Sequence, residues 1–218
     1  MKDRINPDIE PDKNISLRKW AMVSIMGVVV YIILDVILQL LPPHYSPLRQ
    51  AESDLAVGHY GFIMNINFLI RGILSFSVIM PIYHLAKESA STLKGIVFFE
   101  IWCVASFLLA FFNTDVYTYS HTVMHHTFHG EMHLILAFTA FLGAPAGEIL
   151  LSLSFSKIGQ LKTIRTPVLI LALLSAFFLI LLVLRLFHGA YFGLFERLFI
   201  GSVLLWIVAV SVKLIRLR

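Results

Sequence analysis

Residues 167–187 read PVLILALLSAFFLILLVLRLF, with one charge, Arg185, close to the far end. The hydrocarbon core of a bilayer is about 30 Å thick, and a helix needs roughly 20 mostly apolar residues to cross it. This stretch meets that length. Working outward from it, five more runs appear: Trp20 to Leu41, Gly61 to Leu85, Leu93 to Phe112, Gly130 to Phe155 and Tyr191 to Val212. The whole chain of 218 residues is 58% hydrophobic and only 14% charged, where ordinary globular domains carry roughly a quarter of charged residues. Its mean hydropathy is +0.84. The reading is an all-α integral membrane protein: a six-transmembrane-helix bundle over 19–218 behind a flexible cytoplasmic leader, 1–18.

The first run follows Lys2, Arg4, Arg18 and Lys19, as the core of a signal sequence would. It is longer than a signal core of about 7 to 15 residues, and Leu-Pro-Pro-His follows in place of a small-residue cleavage site, so it is kept as a span. The leader, with Pro7 and Pro11 among acids and bases, has too little apolar surface to fold alone. Lys and Arg collect in the leader, the second loop (Lys87, Lys94), the fourth (Lys157, Lys162, Arg165) and the tail (Lys213, Arg216, Arg218). By the positive-inside rule these segments share the cytoplasmic side of a cell membrane, so both termini are cytoplasmic and the first, third and fifth loops lie outside. The net charge of +4 is accounted for by the basic loops and gives no reason to invoke nucleic acid. Membrane lipids are the expected partners, with a second copy of the chain left open. The single Cys103 lies within the third span, so no intramolecular disulfide forms.

Ionisable groups in hydrocarbon are costly, and each is a functional candidate set against the plainer reading that it locks two helices together. Asp35, Asn65, Asn67, Asp115, His129, His133, His188, Glu196 and Arg197 all fall in the outer third of the spans or at its rim. Arg49, Ser53 and Asp54 come from the first loop just above. Separate segments that send polar groups to one layer favour a pocket. Arg71, Glu100 and Glu148 form a deeper set, read as a buried ion pair in which Arg71 reaches one of the carboxylates, or as a proton or ion step toward the cytoplasm.

The third loop is rich in histidine. If the fourth helix begins near His129-Gly130, then His129 and His133 stand one turn apart on one face, where two imidazoles can converge on one ligand. The exposed amides of a helix start favour neutral imidazole, the form a metal needs. With His188, Asp115 or Asp54 as third donor, the set would hold a divalent metal, zinc first, with an open position for water. The spacing alone is a weak signal, and Glu131 lies off the shared face, unlike the acid of a His-Glu-x-x-His motif. His125 and His126, like His44 and His59, are read as loop or headgroup residues. In the first loop, Pro42, Pro43 and Pro47 impose a bend, and Ser53-Asp54 suits the cap of a short re-entrant helix. Arg49 either holds a lipid phosphate or is a solvated charge.

Several short motifs occur in the order of a known family: Ser46-Pro47-Leu48-Arg49-Gln50 with Ser53-Asp54-Leu55, Asn65 and Arg71-Gly72, Phe112-Asn113-Thr114-Asp115 before His129-Gly130 and His133, and Gly193-Leu194 with Glu196-Arg197. From about Trp20 onward the chain resembles the six-helix prokaryotic membrane proteins grouped as domain of unknown function nine-nine-eight. That resemblance implies six spans and brings no activity. The connection from Asp115 to His129 is longer and richer in histidine than the family's common one, which sets His121, His125 and His126 apart as features of this chain. A looser likeness, of chemistry alone, is to the ceramidase and progestin-receptor-like hydrolases, whose seven helices hold zinc with intramembrane histidines and an acid.

Three functions stay open. In the first, a metal-assisted hydrolase or transferase acts on a lipid or lipid-linked substrate, with the metal on His129, His133 and His188, acid-base chemistry from Asp54, Asp115 and Glu196, and the headgroup on Arg49, Ser53, Asn65 and Arg197. In the second, the same outer pocket serves a small solute or ion transporter. In the third, the chain is a non-catalytic scaffold or lipid-binding partner.

Overall fold

The computed structural model describes residues 11–86, 89–115, 127–185 and 191–217. Six helices carry the described chain: α1 (Pro11–Leu40), α2 (Gly61–Ala86), α3 (Ala90–Leu108, continued by a 3-10 turn, Leu109–Phe111), α4 (Phe128–Ser154), α5 (Arg165–Arg185) and α6 (Phe192–Ile215). Each is long and apolar enough to cross a bilayer and coincides with one of the six apolar runs. The first begins earlier than its run, at Pro11, so residues 11–18 of the expected leader are helical. Proline suits a first helical turn, where its missing N–H has no intrahelical partner to lose.

Each helix packs on the next and α6 closes back on α1, while α2 and α6 are the most enclosed spans. Six crossings return both ends of the described residues to one side, where Arg18 donates to the carbonyl of Leu217. The outward faces of α1 and α5 expose Val29, Ile33, Leu173, Phe177 and Leu184. Water would penalise that belt, whereas hydrocarbon does not, and the backbone polar groups behind it are satisfied within the helices. The protein is a multi-pass membrane protein.

Small residues let membrane helices approach closely. At Gly147 of α4 a Cβ would come within 2.6 Å of Phe99 N on α3. Trp102 and Trp206 are fully buried, and each indole N–H is satisfied, by Ser75 Oγ at 2.9 Å and Ser152 Oγ at 3.0 Å. The first loop, the end of α3 and the starts of α2, α4 and α6 meet at the opposite end of the bundle from the termini, and the candidate site is built there.

Candidate functional site

The prolines at 42, 43 and 47 remove backbone donors and turn the first loop back over the bundle. Residues 46–50 close a tight turn, with Gln50 N donating to Ser46 O at 2.9 Å and Ser46 N to Gln50 Oε1 at 2.7 Å. This turn sits on the start of α6, whose first N–H groups lack partners within the helix; Leu194 N donates to Leu48 O at 3.2 Å. At Gly193 a Cβ would lie 2.1 Å from Gln50 O, so only glycine admits the loop this closely. Arg197, one turn on, clamps the same segment. Its Nη1 donates to Pro47 O (3.1 Å) and Gln50 O (3.3 Å), and its Nη2 to Tyr45 OH (2.7 Å).

The loop then descends as a 3-10 turn, Glu52–Ala56, led by Ala51 without a side-chain cap. Ser53 and Asp54 therefore lie inside the turn and do not cap it, because Glu52 ahead of them is drawn into the bundle. Glu52 is 3% exposed. Tyr31 OH of α1 donates to its Oε1 at 2.6 Å, and Arg71 Nη1 of α2 lies 3.4 Å from its Oε2. Its own backbone N–H donates to Glu196 Oε2 of α6 at 2.6 Å. Arg71 Nη1 also donates to Tyr31 OH at 3.2 Å, and the guanidinium lies 5.0 Å from the Phe68 ring centre and 4.9 Å from that of Trp102. Asn67 Nδ2 ties α2 to α1 by donating to Tyr31 O at 3.1 Å.

Charges taken this far from water each lose hydration worth several kcal/mol, and they persist where they meet each other and further hydrogen-bond partners. Arg71 was expected to meet Glu100 or Glu148; its ion-pair partner is Glu52, because the first loop enters the bundle deeply enough to reach it. Asp35 completes the layer from α1, accepting from Gln39 and lying 3.9 Å from Arg197 Nη2.

Under the first loop lies a cavity of about 290 Å3, lined by Leu38, Leu41, Pro42, Pro43, His44, Tyr45, Gln50, Asp54, Leu55, Val57, Gly58, His59 and Tyr60. Tyr45 joins cavity to layer: it lines the cavity, its ring lies 5.3 Å from the Arg197 guanidinium, and its hydroxyl accepts from Arg197 and donates to Ala51 O at 2.6 Å. Burial pushes the Asp54 carboxyl up from 3.8 to about 6, against the downward pull of the Ala51 amide and Arg197. Burial likewise pushes the Tyr45 phenol up, with Arg197 opposing it. Four carboxyls, Asp35, Glu52, Asp54 and Glu196, thus stand with two guanidiniums, Arg71 and Arg197.

The other residues singled out from the sequence divide. Arg49 is exposed, Ser53 is half-buried in the turn, and Asn65 is half-buried on α2 with Oδ1 unpaired. Asp115 accepts from Thr127 N (2.9 Å) and Thr127 Oγ1 (2.7 Å), and Thr127 Oγ1 accepts from Gly130 N (3.0 Å), so this acid braces the start of α4. His133 is buried, with Nδ1 at 2.7 Å from Phe112 O, while His129 is exposed beside the rings of Phe112 and Phe128. Among the described residues no three His, Cys, Asp or Glu side chains group as metal donors. His188, like His121, His125 and His126, lies outside the described residues. Glu100 is half-buried on α3 and Glu148 fully buried on α4.

Sequence reasoning passed over Tyr31, Tyr45 and Glu52. Tyr31 had a signal, since it precedes Asp35 by one helical turn and so shares its face. Glu52 had a weaker one, as an acid beside Ser53-Asp54 in a proline-bent loop.

Comparison with curated proteins and with solved structures returns no match. The family model described as protein of unknown function (DUF998) matches residues 25–213, a span that takes in the whole polar layer from Tyr31 to Arg197 and most of all six helices. With nearly the entire bundle inside that match, the chain belongs to this family.

Proposed function

We propose that the protein binds a small organic cation, an ammonium group either free or as the headgroup of a lipid, in the cavity under its first loop, as the binding step of a transport or lipid-handling cycle. The observation that supports this most is the charge balance. Of the four carboxyls and two guanidiniums, Asp54 alone lines the cavity, so that once ionised, above about 6, it leaves a negative charge there that a cation closes. The cavity walls suit the same ligand. Tyr60 supplies an aromatic side chain, to which ammonium ions are attracted, and Leu38, Leu41 and Leu55 suit alkyl substituents. Asp54 is the counter-charge at the wall.

Two other readings draw less support. An anionic headgroup would need guanidinium donors, yet Arg197 spends both terminal nitrogens on the loop and Arg49 does not line the cavity. A metal-assisted hydrolase would need His129 and His133 to converge, yet one is exposed and the other is held at Phe112 O.

The test is calorimetric titration of the purified protein with choline, ethanolamine and tetramethylammonium. Binding of at least one, lost on Asp54→Asn and weakened as pH falls through about 6, is expected. Silence with all three, or preferential binding of inorganic phosphate, overturns the reading.

A further inference from the structure

At the end of the bundle away from the cavity, basic side chains gather in one corner. Arg18 and Lys19 come from α1, Lys162 and Arg165 from the 3-10 turn and first residue that open α5, and Lys213 and Arg216 from the end of α6. The fold brings them together: Arg18 donates to Leu217 O just past α6, the 3-10 turn Lys162–Ile164 packs on α6, and α6 lies against both α1 and α5. Lys19, Lys162 and Arg216 are exposed, while Arg165 and Lys213 are half-buried. Among the described residues only Arg18 of the six has a side-chain partner, and that partner is a carbonyl. The nearest described acids, Glu100 and Glu148, lie deeper in α3 and α4, and Glu148 is fully buried.

Like charges gathered at one rim repel each other. At the end of α6, Lys213 and Arg216 offset this by complementing the negative end of the helix dipole. The α5 pair has no such offset. A helix start carries the positive end of the dipole and favours anions, yet Arg165 opens α5, Lys162 stands in the turn before it, and no acid occupies the first turn. That pair therefore lacks a counter-charge among the described residues. Half-buried Trp20 follows Lys19 in α1, and tryptophan favours the depth where a span meets the headgroups. The corner thus stands at the level of lipid phosphates.

We infer that this corner of α1, α5 and α6 is a docking surface for anionic lipid headgroups, which it draws in preference to zwitterionic ones. Guanidinium and ammonium groups donate to the phosphate oxygens, and the net negative headgroup supplies the counter-charge that the helix ends lack. The corner shares no residue with the cavity, so the inference does not rest on the ammonium reading.

Trp20 serves as the reporter, because it is only half-buried while Trp102 and Trp206 are fully buried, so brominated acyl chains quench it first. The full chain is reconstituted in vesicles that mix phosphatidylglycerol with phosphatidylcholine, with bromine on one lipid and then on the other. A preference for phosphatidylglycerol of about fivefold is expected, the factor that one basic residue near a membrane surface contributes. It should vanish in about 1 M salt, where charges are screened beyond about 3 Å, and in Lys19→Gln with Arg216→Gln. It should persist in Lys94→Gln, since that exposed lysine lies on α3, which packs on α2 and α4. The salt response keeps the proposal testable if the double variant fails to fold. Equal quenching by the two lipids, a preference that survives salt or the double variant, or an equal fall in Lys94→Gln overturns the inference.

Discussion

Replacing Arg71 by methionine isolates the ion pair that holds the first loop inside the bundle. Methionine keeps much of the stem that packs on Phe68 and Trp102, so the change removes charge and hydrogen bonding more than volume. Glu52, 3% exposed, is then left without the guanidinium at 3.4 Å. Removing one member of a buried pair costs about 3–5 kcal/mol, since the other charge stays buried without compensation. Tyr31 still donates to Glu52 at 2.6 Å, which places the expected loss at the lower end, about 3 kcal/mol. Adding Glu52→Gln should recover part of that loss, with a coupling energy of about 1–3 kcal/mol. The same cycle with Glu148→Gln should be additive within about 0.5 kcal/mol. Unfolding in mixed micelles, followed by tryptophan fluorescence, gives all the values. Additivity between Arg71 and Glu52, or clear coupling between Arg71 and Glu148, would refute the pairing.

Asp54 makes stability depend on pH with a definite sign. Its native value of about 6 stands above the ordinary 3.8, so between these values the folded state binds more protons than the unfolded one and stability falls as pH rises. The ceiling is about 3 kcal/mol, and Asp54→Asn should abolish that slope in thermal melts recorded across the window; an unchanged slope would place the carboxyl in water. Asp115→Ala should cost about 0.5–2 kcal/mol in the same assay by loosening the Thr127 cap of α4, while leaving ammonium binding intact; loss of binding with full stability would make Asp115 a site residue. With Cys103 first changed to alanine, a cysteine at His44 should react with an impermeant thiol reagent added outside and one at Gly159 should not. Reversed labelling would invert the orientation deduced from the basic loops.

The six spans are legible because bilayer thickness leaves few other ways to use apolar runs of that length. What lies between them is harder to read. Counting residues along a helix gives the depth of Asp35 or Glu196, but a re-entering loop offers no such ruler, so nothing in the sequence brings Glu52 to Arg71. Depth counted along the helices therefore points Arg71 to Glu100 or Glu148. The second contact of Asp115 is hidden for a related reason: an acid among histidines suggests chemistry, and nothing in the sequence shows that it also meets the Thr127 amide and hydroxyl that start α4. His129 and His133 do share the spacing of one helical face, but at the rim of the bundle the first turn stands clear while the next is already packed, so one ring is exposed and the other buried. The polar layer itself was visible as a level; the cavity, made by loop and helix ends together, was not.

Photo-crosslinking reads out whether the cavity under the first loop takes an ammonium group. A diazirine-bearing trimethylammonium probe is activated on the protein in lipid vesicles, and its adducts are mapped by mass spectrometry. Adducts are expected between His44 and Tyr60, suppressed by excess tetramethylammonium and lost in Asp54→Asn. Adducts confined to the lipid-facing belt of α1 and α5, or indifferent to the competitor, would contradict it.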